Sequence, residues 1–293
     1  MSKSAPGIVL FLALALAVTA WLRPAHADTA AREVVVSVLP LASIVKAIGG
    51  DHVEVTVMVP PGTSPATFEP TPRQMAGLAS SVLYVSTGLP RERSWLSQIR
   101  AIHPDLPILD LPSIVETRPI DGHDHGHETE HERPDPHIWL GPKQLRTTAL
   151  AVRDALARIE PTLGPEFAAN ARVWLARLEA ADEIVRERLA PHEGRSFLVF
   201  HPAFGYLADA YGLRQIPIEQ RGMTPGPRMI AAAIEAARAE DIRVVFVQAQ
   251  FSADSARTIA AEIDGRVVRL DPLGADPIDT ILAATAAFDE AFR

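Results

Sequence analysis

The chain predicts an α/β fold with parallel sheet, on three observations. Short apolar runs recur from residue 34 to the C-terminus; stretches of helical period separate them; and tight hairpin signals between neighbouring runs are lacking. Residues 34–39 read as a buried strand and 41–48 as a helix stopped by Gly49-Gly50. A second strand, 53–59, runs into Pro60-Pro61-Gly62, where the chain must turn, and a helix begins near Arg73. Residues 82–86 and 108–111 read as further short strands. After Pro142 a helix reaches about Ile159 and breaks at Pro161.

A longer helix is predicted over 165–189, because Phe167, Ala171, Trp174, Leu178, Val185 and Leu189 fall on one stripe. At ~1.5 Å per residue it would be about 37 Å long. From periodicity alone it is either a stiff connector between two lobes or an ordinary core helix. The alternation then resumes: strand 197–200, helix 203–211, strand 215–218, helix 227–240, strand 244–247, helix 252–263, strand 267–270 and a last helix from about Pro277. One internal echo stands out. Thr71-Pro-Arg-Gln-Met75 leading to Leu83-Tyr-Val85 is similar to Gly226-Pro-Arg-Met229 leading to Val245-Phe-Val247, as two similar lobes would produce.

The first 27 residues are set apart from this pattern. Lys3 gives a positive start, residues 7–22 are apolar, and Ala25-His-Ala27 offers small residues of the kind a signal peptidase reads. An apolar run of 16 residues is short of the roughly 20 that span a bilayer. A cleavable export signal over 1–27 is therefore expected, leaving 266 residues, enough for two domains. The sequence contains no cysteine, which removes disulfides, thiolate zinc sites and attachment of lipid to an N-terminal cysteine. The expected compartment is the periplasm, without a lipid anchor. Net charge is −8, and no long basic run remains after residue 27, so nucleic acid is not an expected partner.

Chemistry concentrates at four places. Arg133-Pro-Asp-Pro-His-Ile-Trp-Leu-Gly-Pro142 carries His137 on a stretch stiffened by prolines. Immediately before it, Asp121-Gly-His-Asp-His-Gly-His-Glu-Thr-Glu-His131 alternates histidine with acid, a pattern suited to weak metal capture near neutral pH. Phe197-Leu-Val-Phe-His201 and Val267-Val-Arg-Leu-Asp271 each end a hydrophobic strand in a metal-capable side chain. Ligands of parallel α/β sheets bind beyond the carboxyl ends of strands, which is where His201 and Asp271 fall. His137, His201 and Asp271 are thus expected to converge in a cleft. Imidazole nitrogen with carboxylate oxygen is a zinc-type donor set, although manganese, cobalt and nickel accept it too.

Five segments in order resemble the solute-binding proteins of zinc and manganese ABC importers. Gly62-Thr-Ser-Pro-Ala-Thr-Phe-Glu-Pro-Thr-Pro72 is similar to the family's first loop and Asp135-Pro-His-Ile-Trp-Leu140 to its second. His201-Pro-Ala-Phe-Gly-Tyr206, with Tyr211-Gly-Leu213, is similar to the third. Glu219, Gly222 and Pro225 sit in a stretch like a fourth, and Leu270-Asp-Pro-Leu-Gly274 is like the last. The resemblance implies two α/β lobes joined by a long rigid helix with the metal site between them. In residue numbers it implies a first lobe over 28–160, a linker over 161–190 and a second lobe over 191–293. It also implies that His137, His201 and Asp271 are metal ligands, with zinc favoured over manganese because manganese-type members tend to carry a carboxylate where His201 stands. The implied partner is a membrane permease with its cytoplasmic ATPase, and the implied state a monomer.

The resemblance departs at Ala66, where such proteins carry a fourth ligand, a histidine. Water, Glu69, or one of His123, His125, His127 and His131 are the candidates for that vacancy. Two other roles fit the same residues. A zinc store or metallochaperone would use the same ligands without a permease. A zinc hydrolase would use three protein ligands plus water, with Glu69 as base. The literal protease signature His127-Glu-Thr-Glu-His131 lies between Gly126 and Pro134 with no apolar residue nearby, where a packed helix is not expected. No phosphate-binding loop, dinucleotide fingerprint or nucleophile elbow occurs, so ATP hydrolysis belongs to another protein.

Overall fold

A computed structural model of the chain describes residues 31–121, 134–219 and 224–293. The expected export segment 1–27, His123, His125, His127 and His131, and Gly222 all lie outside the described residues. Among the described residues no helix is long and apolar enough to cross a membrane.

The body spanning Ala31–Arg293 holds two four-stranded sheets, every strand pair parallel. The first contains β1 (Arg32–Val36), β2 (Val53–Val57), β3 (Ser81–Ser86) and β4 (Ile108–Asp110) in the order β2-β1-β3-β4. The second contains β5 (Ser196–Val199), β6 (Arg214–Pro217), β7 (Val244–Val247) and β8 (Arg266–Arg269) in the order β6-β5-β7-β8. The two orders are the same when each sheet is numbered from its own first strand. The sequence echo lands on equivalent places: Pro72 and Pro227 each open a helix, α2 (Pro72–Gly77) and α7 (Pro227–Ala239), and the next strands, β3 and β7, hold the same position in their sheets. Proline suits the first helical turn because that turn leaves its N–H groups without helical partners.

Between the sheets lie α4 (Pro142–Ile159) and α5 (Gly164–Leu189), the latter 26 residues long. Phe167, Ala171, Trp174, Leu178, Ala181, Val185 and Leu189 are its buried stripe, the one that periodicity marked with Ala181 added. The stripe packs on α1 (Leu39–Gly49), on α4 and on the last helix, α9 (Pro277–Phe292). From α9, Phe288 stacks on Phe197 of β5 at 4.3 Å between ring centroids, so the connector's neighbour also covers one face of the second sheet. A separate apolar cluster, including Leu198, Val245, Val247, Ala237 and Ile259, covers the other face under α7 and α8 (Asp254–Glu262).

Strand and helix limits differ from expectation where a turn intrudes. The first strand stops at Val36 because the chain enters α1 at Leu39, with Pro40 in its first turn. A helix not anticipated from sequence, α3 (Glu92–Ile102), buries Glu92, Trp95, Leu96 and Ile99.

Candidate metal centre

The second sheet carries its ligand candidates on backbone that continues the ladder past the strand ends. Phe200 N–H donates to Phe246 O (2.8 Å), Glu219 N–H to Phe200 O (2.8 Å) and Leu270 N–H to Val247 O (3.0 Å). His201 follows β5 directly and is clasped by the Gln248 amide, whose Oε1 accepts from His201 N–H (3.1 Å) and whose Nε2 donates to His201 O (2.7 Å). Phe251 stacks on the imidazole with centroids 5.3 Å apart. Its Nδ1 donates to Glu219 Oε2 at 2.6 Å.

His137 comes from the irregular segment ahead of α4. It is 7% exposed, and its Nδ1 donates to Asp135 Oδ1 at 2.7 Å, while its backbone N–H reaches the same oxygen at 3.0 Å. The next turn buries Ile138, Trp139 and Leu140, and Trp139 Nε1–H donates to Pro272 O at 2.7 Å, tying this segment to the loop after β8. Burial lowers the pKa of His137 from its ordinary value and the neighbouring His201 lowers it further, against Asp135, which raises it. The net shift downward keeps the imidazole neutral at pH 7, the form that binds metal.

With each Nδ1 committed to a carboxylate, the Nε2 atoms are the ring nitrogens left to bind an ion, and they face each other at 3.3 Å. Nitrogens at that separation can share a proton or a bound cation. Two imidazole nitrogens each about 2.0–2.1 Å from one tetrahedral zinc ion would stand roughly 3.3–3.4 Å apart. The carboxylates behind them are the arrangement that fixes tautomer and ring orientation in metal-binding histidines.

The expected convergence of three residues is met by two. Asp271 is exposed, and its Oδ1 accepts from Leu273 N–H (3.0 Å) and Gln250 Nε2 (3.3 Å). Both contacts hold Oδ1 in the loop after β8, apart from the two histidines. It lines a cavity of about 150 Å³ with Val59, Pro60 and Gly62, whereas the two histidines line one of about 60 Å³. Pro65, Gln250 and Leu273 border both. Among the described residues no group of three His, Cys, Asp or Glu side chains is close enough to hold one ion.

Ala66 lies on the wall of the histidine cavity, with Ser64, Pro65, Leu89 and Pro136. Glu69, one candidate for the vacancy, is instead ion-paired with Arg91 and does not line that cavity. The residues that sequence reasoning left without a role are Asp135, Glu219, Gln248 and Trp139. Asp135 carried a readable signal, a carboxylate two positions before a proline-flanked histidine. Glu219 was marked only by the resemblance of its segment, because its meeting with His201 depends on β5 and β6 being neighbours.

Residues 34–285 match the family described as zinc-uptake complex component A, periplasmic (ZnuA). The zinc-binding lipoprotein AdcA of Streptococcus pneumoniae is 28% identical over 252 residues, covering 82% of this chain and 50% of AdcA. The chain thus spans about half the length of the first curated relatives it matches. The high-affinity zinc uptake system protein ZnuA of Bacillus subtilis is 27% identical over 261 residues, covering 82% of this chain and 78% of that protein. A crystal structure of ZnuA superposes with a TM-score of 0.83 at 34% identity, covering 89% of this chain and 99% of that one. A zinc-bound deletion mutant of ZnuA gives 0.82 at the same identity. The chain belongs to the ZnuA family of periplasmic A components of zinc-uptake complexes.

Proposed function

We propose that the protein is a periplasmic solute-binding protein that captures Zn²⁺ and delivers it to the membrane permease of an ABC importer, behind which a cytoplasmic ATPase supplies the energy. The observation that carries this reading is the pair of imidazoles, each backed by a carboxylate on Nδ1, with Nε2 atoms 3.3 Å apart. His137 and His201 hold the ion. Asp271 completes the protein ligands by leaving Gln250 and turning toward the pair, and water takes the place beside Ala66. Two nitrogen donors with one carboxylate favour zinc over manganese.

The protein acts as a monomer and performs no chemistry on its cargo. Its lobes span 28–160 and 191–293, with 161–190 as the rigid linker between them. An export signal over 1–27 is cleaved, and with no cysteine in the sequence the mature chain carries no thioether lipid. The alternation of His123, His125, His127 and His131 with acidic residues supports a role in collecting zinc for the main site.

Metal analysis of protein purified without added metal, followed by competition against a chelator, tests the assignment. The expected result is one tightly held zinc per chain that His201→Ala loses. Equal zinc content in the variant would contradict it. Deleting residues 122–132 should lower the weakly bound zinc and leave the tight equivalent in place.

A further inference from the structure

We propose that Arg118 is a positioning residue of the metal site, acting on His137 through Asp135; this rests on the reading of His137 as a zinc ligand. Arg118 lies between β4 and α4, with its side chain 16% exposed. Its guanidinium donates in three directions: Nη1 to Asp135 Oδ2 (3.2 Å), Nη2 to Asp121 Oδ1 (2.7 Å) and Nε to Asp209 Oδ2 (2.7 Å). The Asp135 carboxylate is wholly buried between two partners, one oxygen on Arg118 and the other on His137 Nδ1. Fixing the first oxygen fixes the plane of the carboxylate, and that plane sets where His137 Nε2 points.

The backbone repeats the coupling. Asp135 N–H donates to Arg118 O (2.7 Å), Arg118 N–H to Tyr206 Oη (3.3 Å), and Tyr206 Oη–H to Asp135 O (2.8 Å), a closed ring of three residues. Burial pushes the Tyr206 hydroxyl up to about 12, so it remains a donor at neutral pH. Two of Arg118's supports belong to the second lobe. Asp209 is on α6 (Gly205–Ala210), and Gln215 of β6 donates from Nε2 to Asp121 Oδ2 at 2.7 Å. The first residue of α6 makes room for this arrangement: a Cβ at Gly205 would lie 1.9 Å from Arg118 Nη1 and 2.7 Å from its Cζ. The orientation of one ligand histidine therefore depends on contacts made across the lobes. Lysine's three donors radiate from a single nitrogen and cannot reproduce a planar fork of three separated nitrogens.

The test is zinc affinity by chelator competition on the full chain, with thermal unfolding of the metal-free protein recorded beside it. Arg118→Ala should weaken binding about tenfold, the lower end of the range for residues supporting a metal ligand. Gly205→Ala, which displaces the guanidinium without deleting it, should reproduce that loss and keeps the test open if Arg118→Ala fails to fold. Adding Arg118→Ala to Asp135→Asn should cost little beyond Asp135→Asn alone. A merely structural Arg118 would instead lower unfolding temperature while its affinity loss added in full to that of Asp135→Asn, and this result would overturn the proposal. Wild-type affinity in both Arg118→Ala and Gly205→Ala would overturn it as well. Should wild-type protein itself bind no zinc, the functional reading fails and takes this inference with it.

Discussion

The two histidines of the site are mounted in opposite ways. His201 stands just past the end of β5, held by the Gln248 amide, and its carboxylate, Glu219, arrives just past the end of the adjacent strand, β6. His137 stands on irregular chain and brings its own carboxylate, Asp135, from two residues away. A regular element positions the first almost automatically. The second needs a scaffold of individual contacts, from Trp139 to Pro272, from Tyr206 to Asp135 and from Arg118 to three carboxylates. The same chemical product, an Nε2 lone pair aimed into the cavity, thus has two different structural origins.

The strongest way to break the comparison is to remove each imidazole. His201→Ala and His137→Ala should each weaken zinc binding by more than about 100-fold, since losing a ligand exceeds the ~10–100-fold typical of losing its supporting partner. Chelator competition reads this directly; a variant that keeps wild-type affinity would remove that histidine from the site. The carboxylates sharpen the contrast next. Glu219→Gln and Asp135→Asn should each cost about 10–100-fold, with Asp135→Asn the larger loss. Glu219 lies just past β6, its backbone N–H held by Phe200 O, whereas Asp135 also anchors the His137 backbone and Arg118. Equal losses would show that the irregular segment is as self-supporting as the strand end.

Ala66→His adds a donor at the cavity wall and should tighten binding by about tenfold or more, the reverse of losing one. No gain would mean that position 66 does not face the ion. The smallest effect concerns pH. Burial holds the folded pKa of His137 below its unfolded value of about 6.5. A depressed folded pKa contributes stability that is present above about pH 6.5 and lost as pH falls through the folded value. Metal-free wild type should therefore lose stability on acidification below pH 6.5 more steeply than His137→Gln, by unfolding titrations at several pH values.

The same contrast explains what the sequence made legible. A hydrophobic run ending in His201 or Asp271 announces a strand and its carboxyl end together, because the period of the side chains and the position of the last one come from one regular element. The connector was legible for the same reason: the stripe from Phe167 to Leu189 is buried as its spacing required. Trp95, Leu96 and Ile99 of α3 have helical spacing, although no helix was expected there. The orientation of Asp271 was not legible at all. It is decided by competition between the histidine cavity and two nearby donors, Leu273 N–H and Gln250 Nε2, whose positions depend on the turn after β8. Arg118 was illegible for a related reason, since its carboxylate partners Asp121, Asp135 and Asp209 are scattered over 89 positions of chain.

The central claim is that both imidazoles bind one zinc ion through Nε2. X-ray absorption at the zinc edge, on protein loaded with a single equivalent, measures that coordination shell directly. The account predicts two imidazole nitrogens at about 2.0–2.1 Å with oxygen donors completing the shell, falling to one imidazole in His201→Ala. A spectrum without imidazole scattering, or one that His201→Ala leaves unchanged, would contradict it.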